Sequence, residues 1–142
     1  MSATLLTAVA RTTVPRTALR RFLALDSVVS TGNGLAYVAF SAPLGRLLGV
    51  GQGMLLGLGV FLLLYGAGVG LLASRREPPV FPVKIVIEGN CAWAALSLVS
   101  LVVWFAPTAA GAVWIAAQAL VVASFALFQQ LALRAGAGSG RQ

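Results

Sequence analysis

The sequence predicts an all-α fold: a transmembrane four-helix bundle that reads as two repeated helical hairpins. Three observations carry that prediction. Hydrophobic residues make up 59% of the 142 and charged residues only 9%, against about 25% charged in soluble globular chains. Four apolar runs each have the length of a membrane span. The basic residues gather on alternate connections between those runs.

The elements follow in order. Residues 1–19 are rich in Thr, Ala and Arg, with Pro15, and read as a basic flexible arm. The domain proper is expected over 20–134. Its first run spans about 22–40, roughly 28 Å at 1.5 Å per residue, enough to cross the hydrocarbon core. Ser41-Ala42-Pro43-Leu44-Gly45 should break it. The second run covers about 47–73 and closes on Arg75-Arg76-Glu77-Pro78-Pro79. The third covers about 83–105, before a tight turn at Ala106-Pro107-Thr108, and the fourth covers about 111–133. Residues 135–142, rich in Gly and Ser, read as a disordered tail. The runs are too long and too unalternating for barrel strands.

Charge sets the expected topology. Arg11, Arg16, Arg20 and Arg21 precede the first run, Arg75, Arg76 and Lys84 surround the second connection, and Arg134 and Arg141 follow the fourth run. In a four-span layout all of these share one side, and only Arg46 falls on the other. The positive-inside rule then gives a multi-pass protein of the cell membrane with both termini cytoplasmic. A net charge of +7, which in a soluble chain would point to nucleic acid, here flanks apolar segments and suits anionic lipid. The partners expected are the lipid bilayer and a second copy or a larger membrane protein, with no nucleic acid. A cleaved twin-arginine leader is the rival reading of the first run, because Arg20-Arg21 precedes Phe22-Leu23. Asp26 early in the run, the run's length and the lack of an Ala-x-Ala site favour a retained span.

The chain has three acidic residues in all, and two of them, Asp26 and Glu88, lie inside apolar runs. An acidic side chain at the centre of a span costs about 2.5–3.5 kcal/mol on insertion scales. Asp26, Ser30, Asn33 and Tyr37 recur at helical spacing and form one polar stripe, which should face the bundle interior. On the third run Asn90 leads a face with Ala94 and Ser97. Glu88 stands about 200° round from Asn90 and reads as an interface charge. On the fourth, Gln118 shares a face with Trp114, Val121, Phe125 and Gln129. The candidate intramembrane polar site is therefore Asp26, Ser30, Asn33, Tyr37, Asn90 and Gln118. Arg20, Arg21, Lys84 and Arg134 lie within snorkelling reach of the two acids, so ion pairing near the interface is the expected structural role.

Gly49, Gly53 and Gly57, then Gly66 and Gly70, recur every four residues on the second run and are the expected helix-packing positions. In a chain with 16 glycines, packing within one bundle is favoured over a dimer seam. Thr31-Gly32-Asn33-Gly34-Leu35-Ala36-Tyr37 and Glu88-Gly89-Asn90-Cys91-Ala92-Trp93 echo each other, each in the first helix of a hairpin. A parallel repeat would bring Asn33 and Asn90 together across the bundle. These segments, with Leu25-Asp26, Pro43-Leu44-Gly45 and Gln118-Ala119-Leu120-Val121-Val122, resemble an uncharacterised group of small four-span integral membrane proteins of GC-rich (actinobacterial-type) bacteria. The resemblance covers most of 20–134 and implies a four-span fold in a bacterial inner membrane, with no activity attached.

Catalytic chemistry is not visible. The chain has no histidine and one cysteine, Cys91, which its apolar surroundings mark as a small buried hydrophobe. There is no phosphate loop, metal motif or nucleophile elbow, so no enzyme activity, metal or cofactor is expected. The function expected is that of a non-catalytic helical packing or accessory module. The alternative is a minimal transporter or ligand-binding bundle with a polar intramembrane site around Asp26.

Overall fold

The computed structural model describes the backbone of residues 2–103 and 107–139, and the side chains of 15–103 and 107–138. Five helices appear and, among the described residues, no strand: α1 Ser2–Ala39, α2 Ser41–Leu48, α3 Gln52–Ser74, α4 Val80–Val103 and α5 Ala109–Ser139. Three of them, α3, α4 and α5, are long and apolar enough to cross a membrane. The expected number was four. α1 is long, but Arg20, Arg21, Asp26 and Asn33 dilute its apolar content, so it does not qualify by composition.

Two other expectations on boundaries change. The basic arm is helical from Ser2 and runs without a break into the first apolar run, with Pro15 inside it. Pro15 removes one helical hydrogen bond, which a helix of 38 residues absorbs. The predicted break after Phe40 is itself a short helix, α2. Pro43 stands in its first turn, where no amide donor is needed. Gly49 then ends α2 in the left-handed conformation at φ 71°, and the Val50 amide reaches back to the Gly45 carbonyl at 3.0 Å. Such a cap favours glycine. At the other end α5 stays helical as far as Ser139, into the stretch read as a tail. The third run's end at Trp104 and Phe105, the turn at Ala106 and the tail beyond Ser139 fall outside the described residues.

α1 is the centre of the arrangement, packed along α3 on one side and α5 on the other, while α4 lies along α5. α3 and α4 barely meet, so the four long helices enclose a space that is open on that side. The α1–α3 contact is tight because small residues face each other. A Cβ on Gly34 would sit 2.9 Å from the Gly59 carbonyl oxygen, and one on Gly66 would sit 3.1 Å from the Thr31 amide. The Ser27 hydroxyl adds a bond to the Gly66 carbonyl at 2.7 Å. Leu19, Leu23, Val69, Val83, Val86 and Ile87 form the apolar core near the basic end.

The opposite end is fastened by α2. Thr108 caps α5, its hydroxyl oxygen accepting from the Gly111 amide at 3.1 Å, and the same hydroxyl donates to the Leu47 carbonyl at 2.6 Å. The predicted packing glycines divide accordingly. Gly66 and Gly70 press on Ser27 and Thr31 of α1, and Gly49 meets Thr108. Gly53 and Gly57 face open space. Cys91 is exposed on the outer face of α4, contrary to its expected burial.

Gly66→Ala is expected to destabilise the protein by about 1–3 kcal/mol, because the methyl group collides with the Thr31 hydroxyl and crowds the α1 backbone at Thr31 and Ser27. Gly57→Ala should leave stability unchanged or slightly raised. Thermal unfolding of both purified variants in one detergent checks the pair, and equal midpoints would remove the close-contact account of the seam.

Candidate functional site

Each long helix places one polar side chain at a single level of the bundle. Asp26 of α1 is 1% exposed. Its Oδ2 accepts from Asn90 Nδ2 of α4 at 2.7 Å and from Gln129 Nε2 of α5 at 2.9 Å. Its Oδ1 accepts from the Ser30 hydroxyl, one turn on, at 3.2 Å. Asn90 Nδ2 also donates to Gln129 Oε1 at 3.3 Å, and the Tyr65 hydroxyl of α3 donates to Asn90 Oδ1 at 2.8 Å. Among the described residues no buried side-chain nitrogen or oxygen lacks a partner.

The basic residues take no part in this hub. Arg16 pairs instead with exposed Glu77 at 2.7 Å, and Arg20 donates through Nε to the Ala73 carbonyl at 3.1 Å, near the end of α3, where a cation suits the helix dipole. Lys84 and Glu88 are exposed and form no ion pair among the described residues. The expected pairing of Asp26 with arginine or lysine is therefore replaced by bonds from uncharged amides. Those amides already stand at the carboxylate's level, whereas Arg16 and Arg20 find acceptors nearer the helix ends. The expected Asn33–Asn90 bond is absent too. Asn90 lies level with Asp26, so the two asparagines sit at different depths.

A second polar cluster stands about 16 Å further along α1. Trp114 Nε1 donates to the Tyr37 hydroxyl at 2.7 Å, and that hydroxyl is directed to Gln118 Oε1 at 3.5 Å. Of the six predicted site residues, Asp26, Ser30 and Asn90 thus meet in the hub, and Tyr37 and Gln118 meet here. Asn33 lies between the clusters, half-buried, with no side-chain hydrogen bond among the described residues.

Asn33 faces a cavity. A space of about 260 Å³ lies against the hub, walled by Asp26, Asn33, Phe61, Tyr65, Trp93 and Gln118 among others. A second, of about 490 Å³, continues toward α2, walled by Tyr37, Leu48, Met54, Leu58, Trp114 and Ile115 among others. Trp93, Leu96 and Gln118 belong to both, so the two are compartments of one cleft between α3 and α4. Its rim carries Phe61 and Leu96, 51% and 64% exposed. Phe61 bridges the cleft by stacking on Trp93 at 5.8 Å and 8° between planes, and on Tyr65 at 6.1 Å and 20°.

Two hub residues were not among the candidates. Gln129 shares the helical face of Gln118, which is a readable signal. Tyr65 is the one polar side chain between Gln52 and Ser74 of α3, and that solitude marks it. Chemically the arrangement can bind and orient. Among the described residues no group of three His, Cys, Asp or Glu could hold a metal ion. Comparison with known proteins finds no matching family model, no matching curated protein and no matching solved structure.

Asp26→Leu should lower stability by about 1–3 kcal/mol, because it strips the Asn90 and Gln129 donors of their acceptor. Asp26→Asn keeps an acceptor oxygen for both donors and can turn its own amide toward Ser30, so it should stay close to the parent. Tyr65→Phe should cost about 0.6–1.7 kcal/mol, the range of interhelical bonds in membranes. Unfolding midpoints of the three variants rank these effects. An Asp26→Asn as damaged as Asp26→Leu would show that charge, not hydrogen bonding, holds the hub.

Proposed function

We propose that this protein is a non-catalytic four-span membrane bundle whose α3–α4 cleft binds a ligand taken from the lipid phase. The observation that carries the reading is the cleft itself. It is lined from all four long helices, backed by a fully hydrogen-bonded hub, and rimmed by exposed Phe61 and Leu96. Cavities lined mainly by apolar and aromatic groups, with a few convergent polar ones, are the usual form of a ligand site.

The first helix belongs in the membrane with the other three. The groups that dilute its apolar character, Asp26 and Ser30, are buried, while Leu25, Val28 and Leu35 on its outer face are 52%, 68% and 57% exposed. Averaged composition therefore understates how apolar a face α1 offers to lipid. The Arg16–Glu77 and Arg20–Ala73 contacts put the N-terminal arginines beside the α3–α4 connection. That gathers the basic residues at one end, which supports cytoplasmic termini by the positive-inside rule. The resemblance to small four-span bacterial membrane proteins agrees with this layout. The packing-module reading retains one argument, the hub's complete set of partners, which accounts for Asp26 but not for the cleft.

Native mass spectrometry of the protein released from its own membrane should show a one-to-one small-molecule adduct. Val122→Trp, which fills the compartment beside the hub, should abolish that adduct while leaving the unfolding midpoint within a few degrees. A bare chain in both proteins would leave the packing module as the better description.

A further inference from the structure

The free hydrogen-bonding capacity of the cleft, compared with what is already taken, defines the ligand chemistry. Asp26 is not available: it is buried and accepts three bonds, so it presents no bare charge to the cavity. Gln118 uses its oxygen on the Tyr37 hydroxyl, because that hydroxyl already accepts from Trp114. Its amide N–H groups remain. Asn33 has no side-chain partner among the described residues, and an amide left unsatisfied at bilayer depth costs several kcal/mol. What the cleft offers is therefore N–H donors from Gln118 of α5 and, from Asn33 of α1, N–H donors together with an acceptor oxygen.

Placement and shape add to this. Tyr37 lies level with Gln118, so Asn33, one helical turn nearer the hub, offers its donors about 5–6 Å away in depth. The Phe61–Trp93 stack, near-parallel, forms one wall of the same compartment. A flat ring fits against such faces by offset stacking. Beyond Gln118 the larger compartment is walled mainly by apolar groups, Leu48, Met54, Leu55 and Leu58 among them, with Ser97 and Ser100 of α4 beside them, and an apolar chain suits it.

We propose that the cleft binds a neutral, lipid-soluble molecule with a flat ring bearing carbonyl oxygens on opposite sides and an apolar tail, of the isoprenoid-quinone class. This rests on the reading of the cleft as a ligand site and names its occupant. One ring oxygen accepts from Asn33 and the other from Gln118, the ring lies against Trp93, and the tail runs toward α2. Binding involves no electron transfer and leaves Asp26 to its structural bonds.

The test uses full-length protein in zwitterionic-lipid vesicles, with Trp104 replaced by phenylalanine so that Trp93 and Trp114 report. Titration with 2-methyl-1,4-naphthoquinone carrying a short isoprenoid tail should quench tryptophan fluorescence saturably. Asn33→Leu and Gln118→Leu should each raise the half-saturation point about tenfold, the equivalent of one lost hydrogen bond. Both replacements exchange a polar group for an apolar one in the membrane, and their unfolding midpoints, expected within a few degrees of the parent, check that the bundle persists. Linear quenching, identical in parent and variants, would overturn the proposal. Saturable quenching or displacement by tetraphenylphosphonium, with none by the quinone, would overturn the ligand class while keeping the ligand site. Binding of neither, together with no adduct by native mass spectrometry, would overturn both.

Discussion

One carboxylate oxygen organises this bundle. Asp26 Oδ2 receives donors from α4 and α5 at once, and Tyr65 joins α3 to the same set through Asn90. An apolar contact in lipid tolerates sliding, since lipid tails are as apolar as leucine and the hydrophobic effect does not drive helices together there. A hydrogen bond does not tolerate it: a shift of one residue moves a side chain 1.5 Å along the axis and 100° around it. The hub therefore sets the depth and rotation of the four long helices relative to one another, and the apolar residues fill in around that setting.

The two sides of α3 show how packing and opening share one helix. Toward α1, glycines let backbones touch, and the seam has no room to spare. Toward α4 the side chains are large and flat, and they reach across as a stack without drawing the backbones together. A cleft thus exists because Phe61, Tyr65 and Trp93 prop apart what glycine elsewhere pulls close. The Tyr65–Asn90 bond limits the separation near the basic end, and the Thr108 contacts with α2 limit it at the other.

Much of this was legible in the sequence. The spacing of Asp26, Ser30, Asn33 and Tyr37 gave their common inward face, because helical periodicity is strong and a polar stripe in an apolar run has few places to go. Glu88, set about 200° round from Asn90, is exposed and stands apart from the hub. Partner choice was less legible. Arginines near Asp26 in sequence looked like its natural counter-charges, yet selection depended on which groups from distant segments reached its level. Gln129 and Tyr65 reach it, and no local pattern announces a tertiary level. The Gly-Asn echo misled for the same reason: a short repeat fixes neither depth nor rotation. The expected fourth span was overstated for α1, whose apolar run Arg20, Arg21, Asp26 and Asn33 interrupt, leaving three helices apolar enough to cross. α2 was hidden because Pro43 and Gly45 look like breakers, whereas Pro43 falls where helices accept proline and Gly45 is buried against Val50 and Gln52.

The hub also bears on how the chain is assembled. Its bonds join residues 64 and 103 positions apart, so in the proposed four-span layout a chain threaded into the bilayer from its N-terminus would expose Asp26 long before either amide arrives. During that interval the first helix would carry a carboxyl group with only Ser30 to answer it. Insertion of α4 supplies one donor and insertion of α5 the second. In the proposed four-span layout the carboxylate would make retention of the first helix depend on delivery of the last.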